Sequence, residues 1–121
     1  MGGTQMEIGT ESFKRADLVT VTGRIDSSNA SELEDVFKGL ADDGRYRIVV
    51  DLSGIEYMSS AGLRALVAAL RESKKHHGDV RISNPSERME EVLNLAGLNT
   101  VFSVYEDSTS AVGSYWIRLP R

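Results

Sequence analysis

A short apolar run followed by a long amphipathic segment is the feature that most constrains the fold of this chain. Residues 48–50 read Ile-Val-Val, which is typical of a buried β-strand, and Asp51 closes the run. In the later segment, apolar side chains recur at the spacing of one face of an α-helix: Leu63, Leu66, Val67 and Leu70. The pattern predicts a strand over 48–51, a loop, and a helix over about 61–76.

The segments before this pair predict two strands and a helix. An edge strand begins at 6–8, and β-branched residues over 18–25 indicate a firmer strand that pairs with it in antiparallel fashion. Asn29 and Glu32 have the spacing of a capping box at the start of the first helix. Gly44 is expected to end that helix.

The segments after the central helix continue the alternation. Gly78 is expected to end the central helix, and a short strand over 80–82 follows it. Asn84 is expected to be the N-cap of the next helix, which ends at Gly97. A strand over 101–105 and a helix from Ser108, capped by Asp107 or Ser108, complete the order ββαβαβαβα. This order predicts an α/β fold with a mostly parallel sheet of four to five strands and an antiparallel N-terminal edge strand.

Length and charge narrow the class of protein. The 121 residues are enough for one domain over 1–121, in which we expect residues 1–5 to be disordered and residues 113–121 to be a C-terminal extension. The net charge is −4, there is no cysteine, and no apolar run approaches a membrane span. We therefore expect a cytoplasmic protein that binds neither nucleic acid nor membrane.

No pattern in the sequence indicates catalysis. The two histidines, His76 and His77, are adjacent on the predicted helix and cannot chelate one metal together. No phosphate-binding glycine motif or nucleophile elbow occurs. We expect no catalytic residues, no metal and no cofactor.

Two hydroxyls lie where the loop becomes the central helix. Ser59 and Ser60 precede Ala61 and Gly62 at a helix N-terminus, where backbone N–H groups lack partners and negative charge is favoured. From the residues alone, Ser59 is an N-cap and Ser60 follows it.

Three segments resemble the STAS domain, the family of anti-sigma-factor antagonists and sulfate-transporter tails. They are residues 23–33, the central segment 49–63, and residues 92–98, and the resemblance extends over about 6–112. In that family the serine in the second position of an Asp-Ser-Ser/Ala-Gly-Leu motif is phosphorylated, and here that position is Ser60. The acidic position before it is Ser59, which departs from the commonest form of the motif.

The resemblance implies a partner-binding site and a phosphorylation switch. The expected phosphoacceptor is Ser60, and the expected partner-binding residues lie in two segments: Asp26, Ser27, Asn29, Met58, Ser59, Ser60, Ala61, Gly62, Leu63 and Arg64. The implied partner is a GHKL-type serine kinase that is also an anti-sigma factor, with a serine phosphatase as a further partner and the chain itself a monomer or weak homodimer.

Two other functions stay open at this point. One is a structural or scaffold subunit, in a stress-signalling complex or a lipid transporter, in which Ser60 is not modified. The other is a small enzyme, which the residues favour least. The residues from 115 to 121 either pack on the core or support dimerisation.

Overall fold

The computed structural model describes residues 5–116. Its strands are β1 (Glu7–Ser12), β2 (Asp17–Ile25), β3 (Arg47–Met58), β4 (Asp79–Ser83) and β5 (Val104–Tyr105). Its α-helices are α1 (Ala30–Asp42), α2 (Ser60–Lys75), α3 (Glu87–Leu95) and α4 (Ser108–Gly113), with 3-10 turns at Leu98–Thr100 and Ser114–Trp116. The predicted order ββαβαβαβα is confirmed.

The strands form one five-stranded sheet in which spatial order follows chain order, β1-β2-β3-β4-β5. A tight turn joins β1 to β2, with the Phe13 amide 2.8 Å from the Ala16 carbonyl oxygen, and these two strands are antiparallel. The other neighbours are all parallel. The predicted sheet, mostly parallel with an antiparallel N-terminal edge, is therefore confirmed.

The two faces of the sheet bury cores of different size. Alternate residues of β3 point to opposite faces, so Ile48 and Val50 join the larger core while Val49 joins the smaller one. Helices α1, α2 and α3 cover the larger core, with Leu33, Phe37, Leu66, Leu70, Met89 and Leu93 among its members. Helix α4 covers the smaller core through Ala111 and Val112.

Strand β3 is much longer than the sequence pattern predicted. The segment from Ser53 to Met58, interpreted as a loop, continues the strand and pairs with the second half of β2. The pairing register shifts twice, and each shift places an extra residue in β3. The buried side chains Leu52, Ile55 and Met58 therefore recur every three residues, which is not the two-residue period by which strands are recognised.

Two predicted helix caps were wrong. Asn29 occupies the N-cap position of α1, but its side chain makes no capping bond and there is no capping box with Glu32. Helix α3 is capped by Ser86, whose Oγ accepts a hydrogen bond from the Met89 amide, and not by Asn84. The Asn84 amide is held by β5 at 2.8 Å from the Tyr105 carbonyl oxygen, which delays the helix.

The end of α2 also differs from prediction. Gly78 was expected to end the helix, but His77, with φ of 65°, takes the left-handed position that follows it. The two closing bonds run from the His77 amide to Lys74 and from the Gly78 amide to Ser73. Gly78 is needed for another reason: a Cβ there would lie 2.0 Å from the backbone oxygen of Tyr46.

The other helix boundaries follow expectation, whereas the strand predicted over 101–105 is limited to Val104–Tyr105. Gly44 and Gly97 have φ of 73° and 72° beyond α1 and α3, and Asp107 caps α4 by accepting a bond from the Ser110 amide. Tyr115 packs on the core, where its hydroxyl is 2.9 Å from the carbonyl oxygens of Ile48 and Asp79. Predictions for residues 1–4 and 117–121 lie outside the described residues. Between residues 5 and 116, no helix has the length and apolar character to span a membrane.

Candidate functional site

The adjacent carboxyl ends of β2 and β3 bring the two predicted site segments together. Ile25 pairs with Met58 in the parallel ladder, and the Ser59 amide donates to the Ile25 carbonyl oxygen at 2.9 Å. The loop beginning at Asp26 and the helix beginning at Ser60 each follow directly from this pair. The structure therefore places the two segments at the same edge of the sheet.

Ser60 is the first residue of α2 and is exposed to solvent. The first bond of the helix runs from the Leu63 amide to the Ser59 carbonyl at 3.1 Å, so the amides of residues 60–62 precede the intrahelical ladder. The first turn of this 16-residue helix contains no acidic residue. A negatively charged group on Ser60 would thus meet the favourable end of the helix dipole without repulsion from that turn.

Ser59 takes the N-cap position but does not cap with its side chain. Its backbone is extended (φ −80°, ψ 173°), and its Oγ makes no hydrogen bond to the helix. This oxygen is buried and has no hydrogen-bond partner among residues 5–116. Of the two neighbouring hydroxyls, only that of Ser60 is on an exposed residue, so only Ser60 is accessible to another protein.

Met58 and Gly62, which were also predicted to contact a partner, lie beneath this surface. Met58 is 5% exposed, and Gly62 is buried. A Cβ on Gly62 would lie 2.7 Å from Met58 Cγ and 2.9 Å from Ile25 Cγ2. Glycine at this position lets α2 begin close against the ends of the two strands, and that approach positions Ser60.

The other predicted residues of α2 differ in accessibility. Ala61 and Leu63 are partly buried and pack against the larger core. Arg64, one turn after Ser60, is exposed. Ser60 and Arg64 are therefore the side chains that α2 offers to solvent at this end.

The loop after β2 is held by its own hydrogen bonds. Asn29 Oδ1 accepts from the Asp26 amide, and its Nδ2 donates to the Arg24 carbonyl oxygen, both at 2.9 Å. Asp26 Oδ1 accepts from the hydroxyl and, at 2.9 Å, the amide of Ser28. These hydrogen bonds from Ser28 hold the pKa of Asp26 below its ordinary value, so its carboxylate is ionised at neutral pH. Ser27 is exposed at the tip of the loop.

A cation–π pair that was not predicted from the sequence lies at the same edge. Arg24 and Tyr57 pair across β2 and β3, and the Arg24 guanidinium carbon lies 4.7 Å from the Tyr57 ring centroid. Tyr57 is 38% exposed and Arg24 is exposed. A strand prediction reaching residue 58 would have identified both side chains, since they alternate with buried Ile25 and Met58.

The site has an exposed hydroxyl but no histidine that could act on it. His76 and His77 follow the opposite end of α2, about 24 Å away for a helix of 16 residues. Within residues 5–116, no group of three His, Asp or Glu side chains is arranged to hold a metal. Among the described residues, this edge presents an exposed hydroxyl at a helix N-terminus, beside an ionised carboxylate and exposed arginines.

Comparison with known proteins identifies the family. A family model described as "Mlab, STAS domain" matches residues 8–105. The anti-sigma-B factor antagonist of Staphylococcus aureus is 31% identical over 88 residues, which are 73% of this chain and 82% of the relative.

Solved structures share the fold. An anti-sigma factor antagonist from Mycobacterium paratuberculosis superimposes with a TM-score of 0.84 at 25% identity, covering 93% of this chain and 96% of that one. The anti-sigma factor antagonist SpoIIAA in its unphosphorylated form has a TM-score of 0.78 at 16% identity, covering 93% of this chain and all (100%) of its own. SpoIIAA of Bacillus is also known in a phosphorylated form, with a TM-score of 0.73 at 18% identity, covering 89% of this chain and 98% of its own. Since the family model spans most of the chain, this protein belongs to the STAS domain family.

Proposed function

We propose that this protein is a cytoplasmic anti-sigma factor antagonist whose partner binding is controlled by phosphorylation of Ser60. In its unphosphorylated form it binds a GHKL-type serine kinase that also acts as an anti-sigma factor, and the sigma factor is released. The phosphorylated form does not bind, and a serine phosphatase restores it. The names of the Staphylococcus and Mycobacterium relatives support the antagonist role.

The observation that carries the proposal is the exposure of Ser60 at the start of α2, beside the loop of Asp26. A kinase can reach this hydroxyl without unfolding the chain. The free amides of the first turn favour the resulting anion, so the fold should tolerate the modification.

Electrostatics at the partner surface would produce the switch. A phosphate adds about −1.5 to −2 charges next to a loop whose Asp26 carboxylate is already ionised. At a desolvated interface this anion needs new partners or loses its hydration, with a penalty of about 1–3 kcal/mol even for an uncharged polar group. A penalty of about 3 kcal/mol weakens binding roughly 150-fold.

Isothermal titration calorimetry with the cognate kinase tests the proposal. Ser60→Ala should bind like the unmodified chain and should not be phosphorylated in the presence of ATP. Ser60→Asp should bind at least about tenfold more weakly, because it introduces a charge at the interface centre.

The matched control is Ser110→Asp. Ser110 is exposed in the first turn of α4, so this variant adds the same charge to a helix N-terminus away from the site. It should bind normally. Equal affinities for Ser60→Ala and Ser60→Asp, or phosphate found by mass spectrometry on a residue other than Ser60, would contradict the proposal.

A structural or scaffold subunit is the second candidate. Three large apolar side chains between residues 95 and 104 are exposed: Leu95 by 85%, Val101 by 50% and Val104 by 43%. A permanent partner that covers them would make Ser60 irrelevant to binding. In that case Leu95→Ser would abolish copurification with the partner, whereas Ser60→Asp would not change it.

A further inference from the structure

A basic cavity lies at the end of the sheet opposite Ser60, where the parallel strands begin. Its volume is about 250 Å³, and its wall combines the β1–β2 turn, the start of β3 and the end of α2. Lys14, Arg15, Arg47 and His77 line it, together with Arg45 and Asp17. Cationic side chains from two separate elements, the β1–β2 turn and the segment that leads into β3, thus converge on one concavity beside the end of α2.

Asp17, the acidic residue that lines this cavity, and Asp79, which lines the neighbouring one, already have cationic partners. Asp17 is buried, and its Oδ2 lies 2.7 Å from Arg45 Nε. Asp79 is bound by Arg81 at 3.0 Å and by Lys74 at 3.5 Å. Lys14 and Arg47, in contrast, form no ion pair with any residue between 5 and 116. The cavity therefore has positive charge that the described chain does not neutralise.

The backbone at His77 is a second observation. Residue 77 has φ of 65°, a conformation in which glycine is favoured and a histidine is strained. A histidine nevertheless occupies this position and lines the cavity. Beside it, the His76 and Tyr46 rings stack with centroids 4.1 Å apart and planes 6° from parallel, so the wall is firmly packed.

We infer that this basic cavity binds a small phosphate-bearing anion. Guanidinium and ammonium groups are the side chains that bind phosphate most strongly, and a concave surface concentrates their potential. The volume is slightly below that of pockets for drug-sized ligands, which suits one or a few phosphate groups. A neighbouring cavity of about 260 Å³ shares Arg47 and His77, and it leaves room for whatever carries the phosphate. That carrier is either a soluble compound or a lipid headgroup.

An NMR titration of the full-length ¹⁵N-labelled chain with inorganic pyrophosphate, at physiological salt, tests the inference. Saturable shift changes should be confined to amides near residues 14–15, 47 and 77. Lys14→Ala and Arg47→Ala should each weaken binding about tenfold, the effect of losing one strong charge-assisted bond. His77→Gly should raise the melting temperature, since it relieves the strained backbone, and still weaken binding. Arg88→Ala is the control, because it removes one exposed positive charge from α3 and should change nothing.

Anionic vesicles of phosphatidylglycerol distinguish the two sources of phosphate. If pyrophosphate binds and vesicles do not, the site takes a soluble compound. If both bind and pyrophosphate displaces the vesicles, it takes a lipid headgroup. The inference is overturned if pyrophosphate causes no saturable shifts, if Arg88→Ala weakens binding as much as Arg47→Ala, or if vesicles alone bind. None of these outcomes depends on Ser60.

Discussion

Replacement of Gly62 by alanine tests whether close packing of α2 against the strand ends positions the site. The added Cβ would lie 2.7 Å from Met58 Cγ and 2.9 Å from Ile25 Cγ2, both well inside van der Waals contact. Overpacking of this kind destabilises a core by about 1–3 kcal/mol. Alanine also has a higher helix propensity than glycine, which offsets up to about 1 kcal/mol of that loss. The expected net change is a destabilisation of roughly 0–2 kcal/mol.

Gly39→Ala is the matched control, and it separates the two contributions. Gly39 lies inside α1, and a Cβ there would have no heavy atom within 4 Å. This variant should be more stable than the original chain by up to about 1 kcal/mol, from helix propensity alone. The difference between the two variants isolates the overpacking at Gly62, which we expect to be about 1–3 kcal/mol.

Urea unfolding followed by circular dichroism measures both free energies of unfolding. If Gly62→Ala stabilises the chain as much as Gly39→Ala does, α2 does not need the close approach that we describe. The link between Gly62 and the position of Ser60 would then be refuted.

Three further predictions concern stability. Gly78→Ala should destabilise the chain more than Gly62→Ala, as measured by urea unfolding, because its Cβ would lie 2.0 Å from the rigid backbone oxygen of Tyr46. Ser86→Ala should lower the free energy of unfolding by about 1 kcal/mol, since the Ser86 hydroxyl caps α3. Ser59→Ala should change it by less than about 0.5 kcal/mol, since the Ser59 hydroxyl makes no capping bond. Equal losses in the two variants would refute this difference. Burial raises the pKa of Tyr115, so the phenol proton is lost from the unfolded chain before it is lost from the folded chain as pH rises above about 10. The stability that depends on this proton is therefore present below that pH and declines above it. In urea unfolding, the stability advantage of the original chain over Tyr115→Phe should shrink between about pH 9 and 11. An advantage that stays constant over that pH range would contradict the assignment.

The fold could be predicted from the sequence because its strongest signals are local. The apolar run from Ile48 to Val50 predicts a strand, and the spacing of apolar residues in α2 predicts a helix, without reference to the rest of the chain. The alternation of strands and helices then restricts the topology. The antiparallel β1 and the parallel order of the other strands followed from the same pattern.

The second half of β3 could not be predicted, because its structure depends on tertiary pairing. Two extra residues in β3 change the spacing of its buried side chains from two to three. Because residues 53–58 were interpreted as a loop, the position of Tyr57 on the strand and its pairing with Arg24 were not predicted.

The N-cap of α3 was predicted wrongly for a similar reason. Asn84 has a good capping side chain, but β5 holds its backbone, and Ser86 takes over the role. Likewise, the Asn29 side-chain amide bonds to the Asp26 amide and the Arg24 carbonyl oxygen and not to helix α1. This arrangement depends on where the Arg24 carbonyl oxygen lies. Within the candidate site, the position of Ser60 at a helix N-terminus could be predicted from the sequence, whereas the burial of Met58 and Gly62 depends on three-dimensional packing.

The strand order β1-β2-β3-β4-β5 has a consequence for how the chain acquires its structure during synthesis. From β2 onward, each strand pairs with the strand that was synthesised just before it, so its partner is already available when it leaves the ribosome. After the β1–β2 hairpin, each parallel pairing spans one crossover, which is the smallest sequence separation that parallel strands allow. In nascent chains arrested after α2, we expect the backbone amides of β1 to β3 to be protected from hydrogen exchange by strand pairing. Only the edge of β3 that later pairs with β4 should remain unpaired.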